Sequence, residues 1–395
     1  MQRETEKLPI IGLISAETLS SIGNQIAAVA IPILVLEYTQ SPIATGIANM
    51  GNVIPIIIAA LIGGRAIDRF NARTLSITSD VLSFLSVLAL PLAITHFTQL
   101  SPAWIFLLVF AGALFDPTGV AARQTLVPAL ARRGDQSLEK INTIRGGLEN
   151  GADFIGPTLG VALIGLIGIL NTFFINAISF LISAILVLFS VPTNTQTEKN
   201  TEKTDFLVGF QFIWRNPQLR LLSLMGMALN FIVLPYLGLL LPVLTTQVLH
   251  TPVLLGISMS VFGGCATIGA FSFSKINKYF SRSTIYFGGI FLTALSIGLT
   301  GIFPQPALIV ILAGFAGLLL GAGNPLEQTI LQEQTPEPIM GQVFTVFSAT
   351  RFAIGPIGLL LAGFGTEWSN VYGMLIASGL FLMVSVFIGR FFSTF

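Results

Sequence analysis

The chain has 395 residues, of which 53% are hydrophobic and only 9% charged, with 19 Lys and Arg against 18 Asp and Glu. Ordinary soluble domains carry about 25% charged residues, and a globule this poor in charge would expose large apolar patches. A soluble enzyme is therefore excluded, and so is a nucleic-acid binder, because a net charge of +1 offers no basic surface to phosphates.

The single cysteine, Cys265, rules out an internal disulfide and a thiolate metal cluster. What remains is an all-α polytopic membrane protein, in which 39 Gly and 20 Pro serve close packing and kinks. A bilayer core about 30 Å thick takes about 20 apolar residues per helix. Apolar stretches bounded by charges, prolines and polar turns predict spans near 9–38, 44–66, 74–96, 102–123, 138–167, 170–191, 218–248, 253–275, 283–303, 306–332, 338–365 and 369–391. The long polar interval after the sixth span divides the chain into an N-terminal six-helix bundle (1–191), a linker (192–217) and a C-terminal six-helix bundle (218–395). The first seven residues lack a cleavable signal pattern, so the first span is expected to be retained.

Orientation follows from Lys and Arg. With the N-terminus inside, Arg65, Arg69, Arg73, Arg123, Arg132, Arg133, Lys275, Lys278 and Arg282 all fall on cytoplasmic connections, and the external connections carry no cation. Arg145 and Arg351 alone fall within spans. Both termini and the linker are thus expected to be cytoplasmic.

The two halves repeat. Arg65-Ala-Ile-Asp-Arg-Phe-Asn-Ala-Arg73 after the second span aligns with Ser274-Lys-Ile-Asn-Lys-Tyr-Phe-Ser-Arg282 after the eighth. Asp116-Pro117 in the fourth span matches Asn324-Pro325 in the tenth, and Gly156-Pro157 in the fifth matches Gly355-Pro356 in the eleventh. Such repeats, related by an axis along the membrane normal, are a plan of secondary transporters.

On these residues the chain resembles the major facilitator superfamily. Gly64 to Arg73 is similar to the loop signature G-x-x-x-D-R-x-G-R-R, with Asn71 in place of Gly; Asn tolerates left-handed backbone. Gly151-x4-Gly156-Pro157-x2-Gly160 is similar to the fifth-helix motif of drug antiporters, although Val161 replaces a terminal Gly. Stretches around Leu19–Gln25, Pro32–Pro42, Ala122–Pro128 and Gly209–Arg220 resemble the branch that exports siderophores and macrolides. The family's fourth-helix arginine has no counterpart before Arg123. The resemblance implies two pseudo-symmetric six-helix bundles working by alternating access and driven by the proton gradient. It also implies that Asp68 and Arg69 form a conformational latch on the N-terminus of the eleventh helix, with Arg73 holding Asp68. A carboxylate at a helix N-terminus gains about 0.3–1 kcal/mol. The alternative for this loop is a plain cytoplasmic anchor.

Charges inside the spans are the remaining candidates, since one at mid-bilayer costs about 2.5–3.5 kcal/mol and must face protein or water. Arg145, Glu149 and Asp153 recur every four residues and share one helical stripe. Arg145 is expected to pair with Glu149; Asp153 has no cation one turn back and suits proton exchange. The alternative is a structural ladder of ions. The resemblance implies that the first, fourth, seventh and tenth helices line the cavity, so Glu17 and Asp116 would bind a cationic part of a substrate or share a proton there. The alternatives are a snorkelling Glu and a helix-bending Asp-Pro. In the second half Arg351 needs a partner, with Glu327 or a backbone carbonyl available. Gly156-Pro157 and Gly355-Pro356 are expected to bend their helices, whereas Pro235 is read as packing alone. Asp153→Asn and Arg351→Ala are both expected to abolish coupled transport and leave folding intact.

His96 and His250 are isolated and form no metal set, and no P-loop supports ATP drive. The expected protein is a non-enzymatic secondary exporter of the bacterial inner membrane, monomeric and without a cofactor, using protons to move a bulky amphipathic molecule. Lipid or lysolipid translocation and uptake symport stay open as alternatives.

Overall fold

The computed structural model describes residues 2–69, 71–97, 101–193, 195, 206–336 and 339–392, apart from the side chains of 2–7, 59–69, 102, 139, 142–143, 206, 274 and 341. Helices α1 (Gln2–Thr39), α2 (Pro42–Arg69), α3 (Ala72–His96), α4 (Pro102–Leu114), α5 (Asp116–Arg133), α6 (Leu138–Ile167) and α7 (Ile169–Ser190) lie before the linker. After it come α8 (Phe206–Arg215), α9 (Pro217–Pro235), α10 (Pro252–Ile276), α11 (Arg282–Ile302), α12 (Pro306–Gln334), α13 (Met340–Ala353), α14 (Gly355–Trp368) and α15 (Val371–Phe391). Among the described residues no strand occurs. Among the described residues eleven spans are long and apolar enough to cross a membrane, with α4–α5 and α13–α14 each counting as one. In α2 the described apolar part is Pro42–Ile58 of a 28-residue helix.

The two interrupted spans break beside proline. The fourth bends at Phe115, ahead of Pro117, and the eleventh turns at Ile354, ahead of Pro356. Proline has no N–H to donate one turn back, and its ring crowds the preceding turn. The repeat partners behave differently: α6 runs unbroken through Pro157 and α12 through Pro325. At Gly156 the structure shows instead a close helix approach, where a Cβ would overlap the side chain of Gln25. Pro235 does more than pack. It and Pro242 each precede a π-helical turn, Tyr236–Leu240 and Val243–Val248, in which the N–H of Leu241 reaches back to Tyr236 and that of Leu249 to Leu244. A proline that removes a normal helical donor is relieved by such local widening.

The chain forms two compact units, residues 1–31 with 54–203, and residues 32–53 with 204–395. In the first, α3 packs against α7 and against both α4 and α5. In the second, the repeat-equivalent α11 packs against α15 and α12, and α10 lies along α12. The second unit also holds Pro32–Val53, where Asn49 donates to the carbonyl of Gly238 at 2.7 Å and Glu367 accepts from the backbone of Ile43 at 3.2 Å.

Helices in lipid gain little by burying apolar faces, so backbone approach at small residues holds them together. The α10–α12 contact is of this type. A Cβ at Gly317 or Gly321 would overlap the backbone of Phe262 or Ala266, while one at Gly323 meets nothing within 4 Å. Gly321→Ala should therefore lower stability by about 1–3 kcal/mol, and Gly323→Ala on the same helix should not. Thermal unfolding of the two purified variants in detergent separates them.

Candidate functional site

Most of the charged residues inside the spans fall into three ion-paired groups and one carboxylate held by an amide, and Glu149 stands apart from them. In the first unit, Arg145 on α6 does not pair along its own helix with Glu149. It crosses to α1 and grips Glu17 with two bonds, Nε to Oε2 at 2.7 Å and Nη2 to Oε1 at 2.5 Å. The planar guanidinium matches both carboxylate oxygens at once. Glu149 is exposed, and among the described residues it has no ion-pair partner.

The second group is buried deeper. Arg123 of α5 is fully buried, as is Asp80 of α3. Its Nη1 donates to both Asp80 oxygens at 2.8 and 2.9 Å, and its Nη2 to the Ser20 hydroxyl at 3.3 Å. Asp80 also accepts from Ser183 at 2.7 Å. Asp116, at the start of α5, accepts from Asn24 at 2.7 Å and sits 3.7 Å from Arg123 Nη2. Its Oδ1 is buried without a hydrogen bond. One guanidinium thus serves two carboxylates. This corrects the reading of Arg123 as a cytoplasmic anchor: α5 runs on ten residues past it to Arg133, and a charge excluded from water must find a counter-ion.

Asp153, one turn after Glu149, is half-buried and accepts from the side-chain amide of Gln25. A neutral donor therefore stands where Glu17, Asp80, Asp116 and Glu327 have a guanidinium. A cavity of about 80 Å³ opens between α1, α5 and α6, lined by Glu17, Ser20, Asn24, Val120, Arg145 and Glu149 among others.

In the second unit Arg351 of α13 pairs with Glu327 of α12 at 2.5 Å. Glu327 is buried and also accepts from the Tyr286 hydroxyl at 3.0 Å. Arg351 stacks 5.4 Å above the ring of Phe347, and Gly226 leaves room for its side chain, since a Cβ there would press on its Cγ and Nε. In the latch region Asp68 and Arg69 end α2, and their side chains lie outside the described residues. Arg73 donates to the carbonyls of Val191 and Leu188, both at 2.6 Å, so its donors close the C-terminal end of α7. Asn71 is not left-handed. Its backbone is extended and its side chain accepts from the N–H of Arg73, capping α3.

Asp80, Tyr286, Ser20 and Ser183 are the members of these groups that sequence reading did not select, and it places Arg123 on a cytoplasmic connection. Asp80 was detectable, as a lone carboxylate in an apolar span; its partner, 43 residues away, was not.

The major facilitator superfamily profile matches residues 13–279, more than half of the sequence, and the chain belongs to that family. It is 27% identical to the multidrug efflux pump Tap of Mycolicibacterium fortuitum, over 98% of this chain and 97% of that protein. It is 24% identical to the enterobactin exporter EntS of Escherichia coli, over 95% and 91%. Among solved structures, the nucleoside transporter NupG matches with a TM-score of 0.79 at 13% identity, over 97% of this chain and 99% of that one, a likeness of fold. The chain is thus a multi-pass membrane transporter.

The pairing of Arg351 alters the expectation that Arg351→Ala spares folding. Removing the cation strands Glu327 in a dry interior, which should cost about 3–5 kcal/mol. The double variant Arg351→Leu/Glu327→Leu should recover much of that loss. Unfolding temperatures in detergent check the order, with the single variant lowest.

Proposed function

We propose that the chain is a secondary active exporter of the bacterial cytoplasmic membrane, with both termini inside, that moves a bulky amphipathic small molecule outward in exchange for protons. The names of the two curated relatives support the direction. The observation that carries the coupling is Asp153: its carboxylate lies inside an apolar span, held by the neutral amide of Gln25 and not by a cation. Protonation removes a charge that nothing local compensates, so the site has reason to change its proton occupancy as its access to water changes.

In the cycle we envisage, Asp153 loads a proton from the outer side and releases it inside, while the substrate leaves in the opposite sense. A proton crossing 100 mV supplies about 2.3 kcal/mol, enough for more than a tenfold substrate gradient. Glu17, Asp116, Arg145 and Glu149 form the surroundings of the substrate, and Glu327 with Arg351 braces the second unit. The bundle boundaries near 191 and 218, the latch at Asp68 and Arg69, and a monomeric state without cofactor belong to the same proposal.

Reconstitution in liposomes with an imposed pH gradient tests this. Asp153→Asn should lower gradient-driven transport about tenfold or more while its unfolding temperature stays near that of the wild type. Transport by Asp153→Asn at the wild-type rate under the same gradient would remove Asp153 from the coupling.

A further inference from the structure

The short helix α8, ten residues long, is too short to cross a membrane and shows three distinct faces. Gly209 and Ile213, one turn apart, are buried. A Cβ at Gly209 would overlap the backbone carbonyl of Gln342 near the start of α13, which fixes the rotation of α8 about its axis. A second stripe, Leu207, Phe210 and Trp214, follows helical spacing, is wholly apolar and is exposed. The rings of Phe210 and Trp214 stack 5.5 Å apart along it. The third face carries Gln211 and Arg215, again one turn apart and exposed.

Connectivity sets the depth of this helix. The span that follows, Pro217–Val248, has 32 residues. At 1.5 Å per residue it is about 48 Å long, against about 40–45 Å for a bilayer with its headgroups. Its start therefore reaches the headgroup layer, and only Asn216 separates it from α8. An exposed stripe of Leu, Phe and Trp at that depth faces the boundary between headgroups and acyl chains, where amphipathic helices and tryptophans settle. Arg220, in the first turn of α9, reaches back and donates to the carbonyl of Trp214 at 3.2 Å. Trp214, Arg215 and Arg220 thus gather at the corner between α8 and α9.

A groove of about 830 Å³ adjoins this corner, lined by Val208, Gln211, Phe212, Arg215, Gln218 and Gln334 among others. Asn216 is engaged there: its side-chain oxygen accepts from the N–H groups of Gln218 and Leu219, and its amide donates to Gln334 at 3.3 Å. The side chains of Gln211, Arg215 and Gln218 make no hydrogen bond among the described residues. The described lining holds one guanidinium, several amides and no carboxylate. A guanidinium suits a phosphate, and amides, which both donate and accept, suit hydroxyls. An ammonium headgroup would meet Arg215 with no carboxylate to hold it. The volume lies within the range of about 300–1,000 Å³ usual for small-molecule sites, so a whole headgroup fits and not merely an ion.

We infer that α8 is an interfacial helix and that its corner with α9 binds an anionic phospholipid of the phosphatidylglycerol type. Arg215 and Arg220 hold the phosphate, Gln211 and Gln218 meet the glycerol hydroxyls, and the acyl chains run along Leu207, Phe210 and Trp214. This site is separate from the charged groups inside the spans and does not depend on what the protein transports.

Trp214 serves as the reporter once Trp104→Phe and Trp368→Phe leave it the only tryptophan. The full-length protein is reconstituted in phosphatidylcholine vesicles containing phosphatidylglycerol or phosphatidylethanolamine brominated near the top of an acyl chain. Half-maximal quenching of Trp214 should need about fivefold less of the glycerol lipid than of the ethanolamine lipid. Arg215→Gln with Arg220→Gln should erase that difference, whereas Arg215→Lys with Arg220→Lys, which keeps the charge, should retain most of it. Inorganic phosphate should relieve the quenching no more than chloride at equal ionic strength. Equal quenching by the two lipids, quenching by neither, or a preference that survives the glutamine pair would overturn the assignment. Relief of quenching by phosphate alone would also overturn it, for the corner would then be a site for soluble anions.

Discussion

A charge in an apolar span has to be neutralised by something within reach, and that requirement shapes both units of this transporter. Helices in lipid draw little from the hydrophobic effect, because lipid tails solvate Leu as well as protein does. An unpaired ion in the same place costs several kcal/mol. Arg123 therefore ties α3 to α5 through Asp80, Arg145 ties α6 to α1 through Glu17, and Arg351 ties α13 to α12 through Glu327. Each pair closes inside one unit. The glycines act beside them by bringing backbones together, most clearly between α10 and α12, so that dispersion and short polar contacts count in full.

The proposed coupling rests on where that neutralisation is left incomplete. In the first unit two guanidiniums face five carboxylates. Arg123 is shared between Asp80 and Asp116, leaving one buried oxygen of Asp116 without a hydrogen bond. Asp153 has only an amide, and Glu149 stands free beside a small cavity. In the proposed coupling that surplus gives a proton a place to bind, because protonation completes the balance. The second unit, with its one closed interior pair and its hydroxyl from Tyr286, has the character of a firm counterpart. On this reading the two halves keep the repeat's helix packing but divide the work unequally.

The architecture was legible in the sequence because hydropathy acts over a whole span, and bilayer thickness converts it directly into helix count. The repeat was legible through its loops. The partners of the charges were not. Four-residue spacing suggested Arg145 with Glu149, yet the acceptor is Glu17, 128 positions away, a tertiary contact that helix spacing does not reveal. Arg123 was hidden for a different reason. The predicted span ends at residue 123, whereas the observed one continues to Arg133, and those ten residues separate a solvated anchor from a fully buried ion. Proline was legible as a breaker but not in its outcome: Pro117 and Pro356 interrupt their spans, Pro157 and Pro325 do not, and Pro235 leads into a π-helical turn.

The most direct test of this account is a double-mutant cycle on Asp80 and Arg123, read as unfolding free energy in detergent. If paired charge holds the first unit together, Asp80→Leu and Arg123→Leu each cost about 3–5 kcal/mol alone, and the double variant costs far less than their sum. Losses that simply add would contradict it, for they would mean that each residue matters only for the space it fills.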